Sequence, residues 1–352
     1  MNGIETISKK NANLWKAAQV LNTGLFAEYH YYTTLWKFNF SARVDQNSAT
    51  SEDTLKLQKE GVAYFNTLTS NYTNFSVNTG ITYQFPQGNS IGIFIGRGMR
   101  SPDLTERFIK FLTVGYDTYD YLGNPQLLPE INYQSDLIAD LNLGKAGKLK
   151  LNAFASLIDS YISGVPVPAS VAMPKSMGAL GVKQYANVGK AWFYGFEATY
   201  NSPVITGFNV LATASYTYGI QARAIKNILA NNQVVGQTEV KNDAIQEIPP
   251  FEARIDVNYR FWKEKMFFTL GTRIVAAQNH VSESFYEIST PGSVILNGTY
   301  SYQVNKHWQV MAGVQNIFDT AYYDHLNRRI VGSTERLYEA GRNLYLNLMI
   351  NL

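Results

Sequence analysis

At 352 residues and a formal charge of only +3, the chain is long enough for two soluble domains or one large membrane barrel, and too weakly basic to argue for a nucleic-acid partner. It has no cysteine, which excludes disulfide frameworks and thiolate metal sites. No run of 18 apolar residues occurs, which excludes membrane-spanning helices. The opening MNGIETISKKNANLWK lacks the apolar core and small-residue cleavage site of a secretory leader. An exported protein of this sequence is therefore expected to carry more chain upstream.

Alternation at period two then recurs along the chain. In 25–31, Leu25, Ala27, Tyr29 and Tyr31 oppose Phe26, Glu28 and His30. Trp36, Phe38, Phe40, Ala42 and Val44 oppose Lys37, Asn39, Ser41, Arg43 and Asp45. Further segments are 75–85, 90–97, 134–143, 148–162, 192–200, 208–218, 251–261, 266–274, 294–304 and 308–318. In 251–261, Phe251, Ala253, Ile255, Val257, Tyr259 and Phe261 face one way and Glu252, Arg254, Asp256, Asn258 and Arg260 the other. Such a polar row demands water or polar partners. The chain ends on a strand in which Leu344, Leu346, Leu348, Ile350 and Leu352 alternate with Asn343, Tyr345, Asn347, Met349 and Asn351. At about a dozen residues it exceeds an ordinary strand and suits a tilted bilayer crossing of roughly 9–11 residues.

Connection lengths sharpen this reading. Short links at 32–34, 86–89, 144–147, 201–207, 262–265 and 305–307 alternate with long ones at 46–74, 98–133, 163–191, 219–250, 275–293 and 319–340. With 24 Tyr, 19 Phe, 16% charged residues and a mean hydropathy of −0.17, the pattern predicts an all-β fold, an antiparallel transmembrane β-barrel wall of about 13 strands. Long loops are expected outside the cell and the C-terminus in the periplasm. A large soluble β-protein explains neither strand length nor loop asymmetry. No linker or low-complexity tract divides the chain, so residues 1–352 are expected to be one domain.

Three stretches carry a family resemblance. The first is Arg97-Gly98-Met99-Arg100-Ser101-Pro102-Asp103-Leu104-Thr105-Glu106-Arg107-Phe108, with Gly123-Asn124-Pro125 and Pro129-Glu130 beyond it. The second is Asn187-Val188-Gly189-Lys190-Ala191 leading into Gly195-Phe196-Glu197. The third is Val314-Gln315-Asn316-Ile317-Phe318-Asp319, then Tyr322-Tyr323, then Ala340-Gly341-Arg342. In this order they resemble the C-terminal part of a TonB-dependent outer-membrane receptor. That resemblance implies a 22-stranded barrel around an N-terminal plug, in the outer membrane of a Gram-negative bacterium. It further implies TonB-energised uptake of a ferric siderophore or similar metal complex, with haem, cobalamin, copper and glycans the other cargoes of the family. The chain would supply the last 13 strands, with no plug and no TonB-contacting segment of its own. Outer-membrane lipid, the plug, TonB, the metal chelate and the outer-membrane assembly machinery are the implied partners. Leu352 departs from the aromatic that usually ends the family's last strand.

Each motif also has a plain physical account. Ser101-Pro102-Asp103 is turn chemistry with Glu106 placed for a first helical turn, and Asn316 and Asp319 are suited to bonding loop backbone at the rim. No H-E-x-x-H, G-x-S-x-G or complete phosphate loop occurs, so neither enzyme chemistry nor a cofactor is expected. Asp117 and Asp120 read as ordinary loop carboxylates.

The loops hold candidate ligand groups. Tyr116, Tyr119 and Tyr121 suit an aromatic floor for a flat chelate, Arg328 and Arg329 an anionic siderophore, and His325 a contact in the same region. Met173, Met177 and His280 are the residue types that suit copper, which makes a copper receptor the alternative within the family. The same tyrosines fit a barrel rim and the methionines loop packing. Arg43, Glu197, Arg254, Asp256, Arg260 and Arg273 are expected to line the lumen and meet a plug or channel water. A non-transporting, adhesin-like barrel is the reading from another class.

Overall fold

The computed structural model describes residues 15–59, 62–112, 117–231, 233–327 and 336–350. In chain order the strands are β1 (Gln19–Tyr32), β2 (Trp36–Lys59), β3 (Val62–Gln84) and β4 (Ser90–Arg100). A short helix α1 (Leu104–Phe108) precedes β5 (Asp120–Leu122), β6 (Glu130–Asn142) and β7 (Lys148–Asp159). Then come β8 (Ile162–Val167), β9 (Val182–Asn187), β10 (Ala191–Asn201), β11 (Phe208–Ala230) and β12 (Gln233–Ala244). The chain continues through β13 (Glu252–Phe261), β14 (Met266–Val275), β15 (Ser293–Gln303), β16 (Trp308–Gln315) and β17 (Asn343–Ile350).

Thirteen strands form one antiparallel sheet in the order β1-β2-β3-β4-β6-β7-β10-β11-β13-β14-β15-β16-β17, with β12 added to β11. They coincide one for one with the 13 segments read from the alternation. The sheet is not closed: among the described residues β1 and β17 each pair with a single neighbour.

Register makes the two faces continuous. Leu25, Val44 and Phe75 lie opposite one another across β1, β2 and β3. Val210, Val257, Leu270 and Gly298 do the same across β11, β13, β14 and β15. Val310 and Ala312 meet Leu348 and Leu346 at the far edge. The alternate rows are polar, as in Asn209, Asn258, Thr269 and Thr299. One slip would turn every apolar side chain inward, so the apolar face fixes the register. Gly195 serves the polar face, where a Cβ would strike the Tyr216 carbonyl and the Phe154 ring that lies over it.

Aromatic rings gather at both borders of the apolar face. Near the short turns, Trp36 packs on Tyr83 at 4.6 Å, Phe208 on Tyr259 at 4.0 Å and Trp262 on Tyr302 at 5.6 Å. Toward the long loops, Tyr194 stacks on Tyr218 at 4.8 Å. Two girdles of this kind bound the lipid-facing band of membrane barrels.

The structure differs from the sequence reading at the long-loop end. The connection expected at 46–74 is largely strand, because β2 and β3 run on as a tall hairpin, and β11 with β12 does the same within 219–250. Beyond Val44 alternation stops signalling, since outside a bilayer both faces of a hairpin meet water. The other long loops hold a second, three-stranded sheet, β5-β9-β8, in which β5 and β9 are parallel.

Candidate ligand-binding cap

The long loops are fastened together by polar side chains, beginning at α1. Asp103 caps it by accepting from the Glu106 N–H at 2.7 Å while Glu106 accepts from the Asp103 N–H at 2.8 Å, a reciprocal pair anticipated from the turn chemistry. Arg100 grips Glu106 with two bonds at 2.8 and 2.9 Å and donates to Glu130 at 2.8 Å. From the helix, buried Arg107 donates to Asn47 at 2.9 Å and Ser70 at 3.0 Å, while Phe108 packs with Ala49, Leu55 and Leu68. The sequence thus pins the loop that follows β4 against the tall β2–β3 hairpin.

A second junction centres on Lys183 of β9. Its side chain is 0% exposed and its Nζ lies 2.9 Å from Asp117, 3.3 Å from the Phe285 ring centre and 4.5 Å from that of Tyr119. Burial pulls the ammonium below the ordinary lysine range, and Asp117 opposes that pull. Asp117 also accepts from the Tyr121 hydroxyl at 2.7 Å and the Tyr119 N–H at 2.8 Å. Asp120 accepts from the backbone of Lys175 and Ser176 and from the Ser176 hydroxyl at 2.6 Å. These two carboxylates are hubs that tie the loop after α1 to the loop before β9. A buried carboxylate needs such donors, and beside the local Tyr119 and Tyr121 they arrive from more than 50 residues away.

Asn227 of β11 joins three segments. It donates to the Tyr119 hydroxyl at 3.2 Å, accepts from Gln237 at 3.1 Å on its side chain, and accepts from the Tyr286 hydroxyl on its carbonyl. Burial raises the Tyr119 and Tyr286 phenols, so both stay protonated, Tyr286 donating and Tyr119 accepting in these bonds. Nearby, Asp243 collects the hydroxyls of Ser282 at 2.8 Å and Ser284 at 2.6 Å. His325 is buried with Nδ1 2.8 Å from the Thr290 hydroxyl and Nε2 3.0 Å from Glu287. Burial pushes the Glu287 carboxyl up, but His325 and the N–H groups of Ser282 and Glu247 outweigh it and hold it low.

Between the small sheet and the β11–β12 hairpin this fastening leaves a cleft of about 410 Å³. Asn124, Gln184, Tyr185, Gln237, Thr238 and Glu239 give it a polar lining, and Val165, Val167 and Ile225 an apolar one. It can hydrogen-bond a polar ligand and cover an apolar part.

The sequence candidates are placed as follows. Tyr119 and Tyr121 are buried inside the cap, and Tyr116, Arg328 and Arg329 lie outside the described residues. Both ring nitrogens of His325 are engaged; His280 stacks on Tyr218 and lies 3.2 Å from the Gly219 carbonyl. Met173 and Met177 stand out from their loop, 68% and 93% exposed. No group of three or more His, Asp or Glu side chains suited to a metal occurs among the described residues. Register puts Arg43, Glu197, Arg254, Asp256, Arg260 and Arg273 on the polar face of the sheet. There Arg43 pairs with Asp45 at 2.5 Å, Arg254 with Asp256 at 3.0 Å, and Arg273 bridges Glu252 at 2.7 Å and Asp324 at 2.9 Å. Asp117, Lys183 and Asn227 were missed, and nothing local in the sequence marks them.

Solved structures share this architecture at low identity. The copper transporter OprC matches with a TM-score of 0.74 and 21% identity over 95% of this chain and 48% of its own. The Serratia marcescens hemophore receptor HasR, solved with its hemophore HasA and heme, matches at 0.71 and 14%, over 96% and 52%. The FrpB iron transporter from Neisseria meningitidis matches at 0.65 and 15%, over 95% and 46%. The chain therefore spans about half the length of the solved structures it matches. No curated protein sequence matches it. Residues 6–317 fit the family described as TonB dependent receptor-like, beta-barrel, and with most of the chain so matched, this protein belongs to that family of receptors and transporters.

Proposed function

We propose that this chain forms the C-terminal 13 strands of a Gram-negative outer-membrane receptor that takes up a ferric siderophore or similar metal complex with energy from TonB. The carrying observation is the cleft of about 410 Å³, lined by both polar and apolar side chains, in a cap of cross-bonded loops at the end of a sheet that has one apolar face and one charged, ion-paired face. In this reading the long loops are extracellular and the C-terminus periplasmic. Loops and plug apices capture the chelate, TonB draws on the plug, and cargo passes along Arg43, Glu197, Arg254, Asp256, Arg260 and Arg273. Wall strands reach the membrane through the outer-membrane assembly machinery, and the remaining strands and plug come from sequence upstream.

A bulky chelate meets the rim of the cleft at exposed Thr238 and half-buried Tyr185 rather than the buried Tyr119 and Tyr121. Tyr116, Arg328 and Arg329, which lie outside the described residues, and His325 are proposed as secondary contacts. A copper receptor is the second reading, favoured by the two protruding thioethers Met173 and Met177, with His280 on another loop.

The test is uptake of radiolabelled iron from a panel of siderophores by cells whose sole such receptor is the complete protein. Uptake that requires TonB and falls about tenfold in Thr238→Trp supports the reading. Iron uptake indifferent to TonB overturns it, and copper accumulation lost in Met173→Ala/Met177→Ala selects the second reading.

A further inference from the structure

The outward apolar face carries one feature that neither the wall nor the cap requires. On β4 the outward positions Ile91, Ile93 and Ile95 are followed by Arg97, which register places between Val77 of β3 and Tyr133 of β6. The same row continues through Leu157 to Trp192, the aromatic border nearest the long loops. Arg97 donates to the Phe75 carbonyl, one step further toward that border, and its guanidinium lies 6.0 Å from the centre of the Tyr133 ring. Among the described residues no carboxylate pairs with it. A cation turned toward lipid is costly unless it reaches the interface and finds an anion there.

Directly below Arg97 the same face is grooved. Phe40 and Tyr133 flank a depression of about 260 Å³ whose outward side chains are Val77, Thr79, Ile95 and Ser135. Thr79 and Ser135 are small beside Phe40, Ile95 and Tyr133, which leaves the depression between them. The depression is almost wholly apolar, so water gains nothing there. Register lays Phe40, Thr79, Ile95 and Ser135 in one row across β2, β3, β4 and β6, and Val77, Arg97 and Tyr133 in the next row toward the long loops. The depression is therefore an open trough with the guanidinium on its upper border, a place for acyl chain beneath an anionic headgroup. Arginine, planar and with donors left after the Phe75 contact, suits a phosphate better than lysine does.

We propose that Arg97 and the groove of Phe40, Thr79, Ile95, Tyr133 and Ser135 form a specific site for a phosphate-bearing acylated lipid of the outer leaflet, lipid A in a Gram-negative membrane. The site rests on the orientation given under the proposed function, since only then does Arg97 lie in the outer leaflet. Arg97 binds the phosphate, Tyr133 holds the guanidinium flat, and the trough takes an acyl chain. The lipid thereby bridges β3, β4 and β6 below the helix α1 junction.

Native mass spectrometry of the complete receptor, extracted from outer membranes in mild detergent and titrated with lipid A, tests this. The wild-type protein should retain lipid A through delipidation, and Arg97→Leu should lower retention about tenfold. Lipid A stripped of its phosphates should be retained as weakly by wild type as intact lipid A is by Arg97→Leu. Arg97→Lys should be intermediate. Ser135→Leu, which fills the trough and breaks no hydrogen bond described for Ser135, should also release the lipid. Equal retention by wild type and all three variants overturns the site and leaves only annular lipid. Because the receptor must first be recovered from outer membranes, failure of the orientation reading shows itself separately: an Arg97 reached by a membrane-impermeant reagent only after the outer membrane is opened would place it in the wrong leaflet.

Discussion

The wall and the cap use polar groups in opposite ways. On the wall, charges pair mostly with near neighbours, on one strand as in Arg43 with Asp45 and Arg254 with Asp256, or diagonally to the next strand as in Arg273 with Glu252, although Arg273 also reaches Asp324. In the cap they pair over distance: Lys183 reaches Asp117 across 66 residues and Asn227 reaches Tyr119 across 108. Wall charges are half-exposed and sit on a face that needs only water. Cap charges are buried and must find partners or cost several kcal/mol each. The wall is therefore held by its apolar face and its register, and the cap by a few polar contacts that fix where loops meet.

The largest expected effect lies in the cap. Asp117→Ala leaves the Lys183 ammonium buried between Tyr119 and Phe285 without its counter-charge, a change that typically costs about 3–5 kcal/mol. Hydrogen exchange should accelerate in β5, β9 and residues 283–287 while the wall strands keep their protection. The double variant Asp117→Ala/Lys183→Met removes both charges and should recover much of the loss. If exchange rises equally in the wall, the two regions are one cooperative unit and the contrast fails.

On the wall, the corresponding disruption is a charge on the outward face. Ile255 lies between Ala212 and Thr272 on the apolar rows, two outward positions from the Tyr259 girdle. An arginine near the bilayer midplane costs about 2–4 kcal/mol, so Ile255→Arg should cut the amount of assembled receptor in outer membranes severalfold. Normal assembly of Ile255→Arg would mean that this face does not meet lipid.

What the sequence made legible follows the same division. Each wall strand states its own facing, because lipid on one side imposes alternation within that strand whatever its neighbours do. All 13 segments and the six short turns could be read for that reason. So could Asp103 with Glu106, whose partners lie three residues apart. The cap offers no such local signal. Asp117 and Asp120 look like ordinary loop carboxylates until Lys183 and Ser176 arrive from distant loops. Tyr119 and Tyr121 look like surface aromatics until β9 covers them. Extension of β2, β3 and β11 past the apolar band was hidden because alternation fades where both faces are wet.

A smaller, pH-dependent effect sharpens the difference within the cap. The Glu287 carboxyl is held below its ordinary range in the folded protein, so its contribution is present at neutral pH and is lost as pH falls through that lowered value. Acidification beneath the ordinary carboxylate range should therefore loosen residues 282–290 and 324–327 and leave the wall unchanged. Glu287→Gln, which cannot ionise, should be looser at neutral pH and lose this acid-dependent step. A step that persists in Glu287→Gln must come from another group.

The smallest effect is expected one residue from the largest wall effect. Arg254 precedes Ile255 on β13, so its side chain turns to the opposite face, where it donates to Asp256 at 3.0 and 3.1 Å with 60% of it exposed. Arg254→Ala removes that ion pair, but the Asp256 carboxylate it leaves behind can be taken up by water on an open polar face. Exposed pairs of this kind are worth little, and the change should lie within about 0.5 kcal/mol. Assembly of Arg254→Ala should match wild type in the same outer-membrane assay that reports the loss in Ile255→Arg. The comparison is internal, with adjacent residues on one strand and opposite facing. Should Arg254→Ala impair assembly as strongly as Ile255→Arg, the polar face is not wet, and the division between a lipid-facing and a water-facing side of this wall would have to be abandoned.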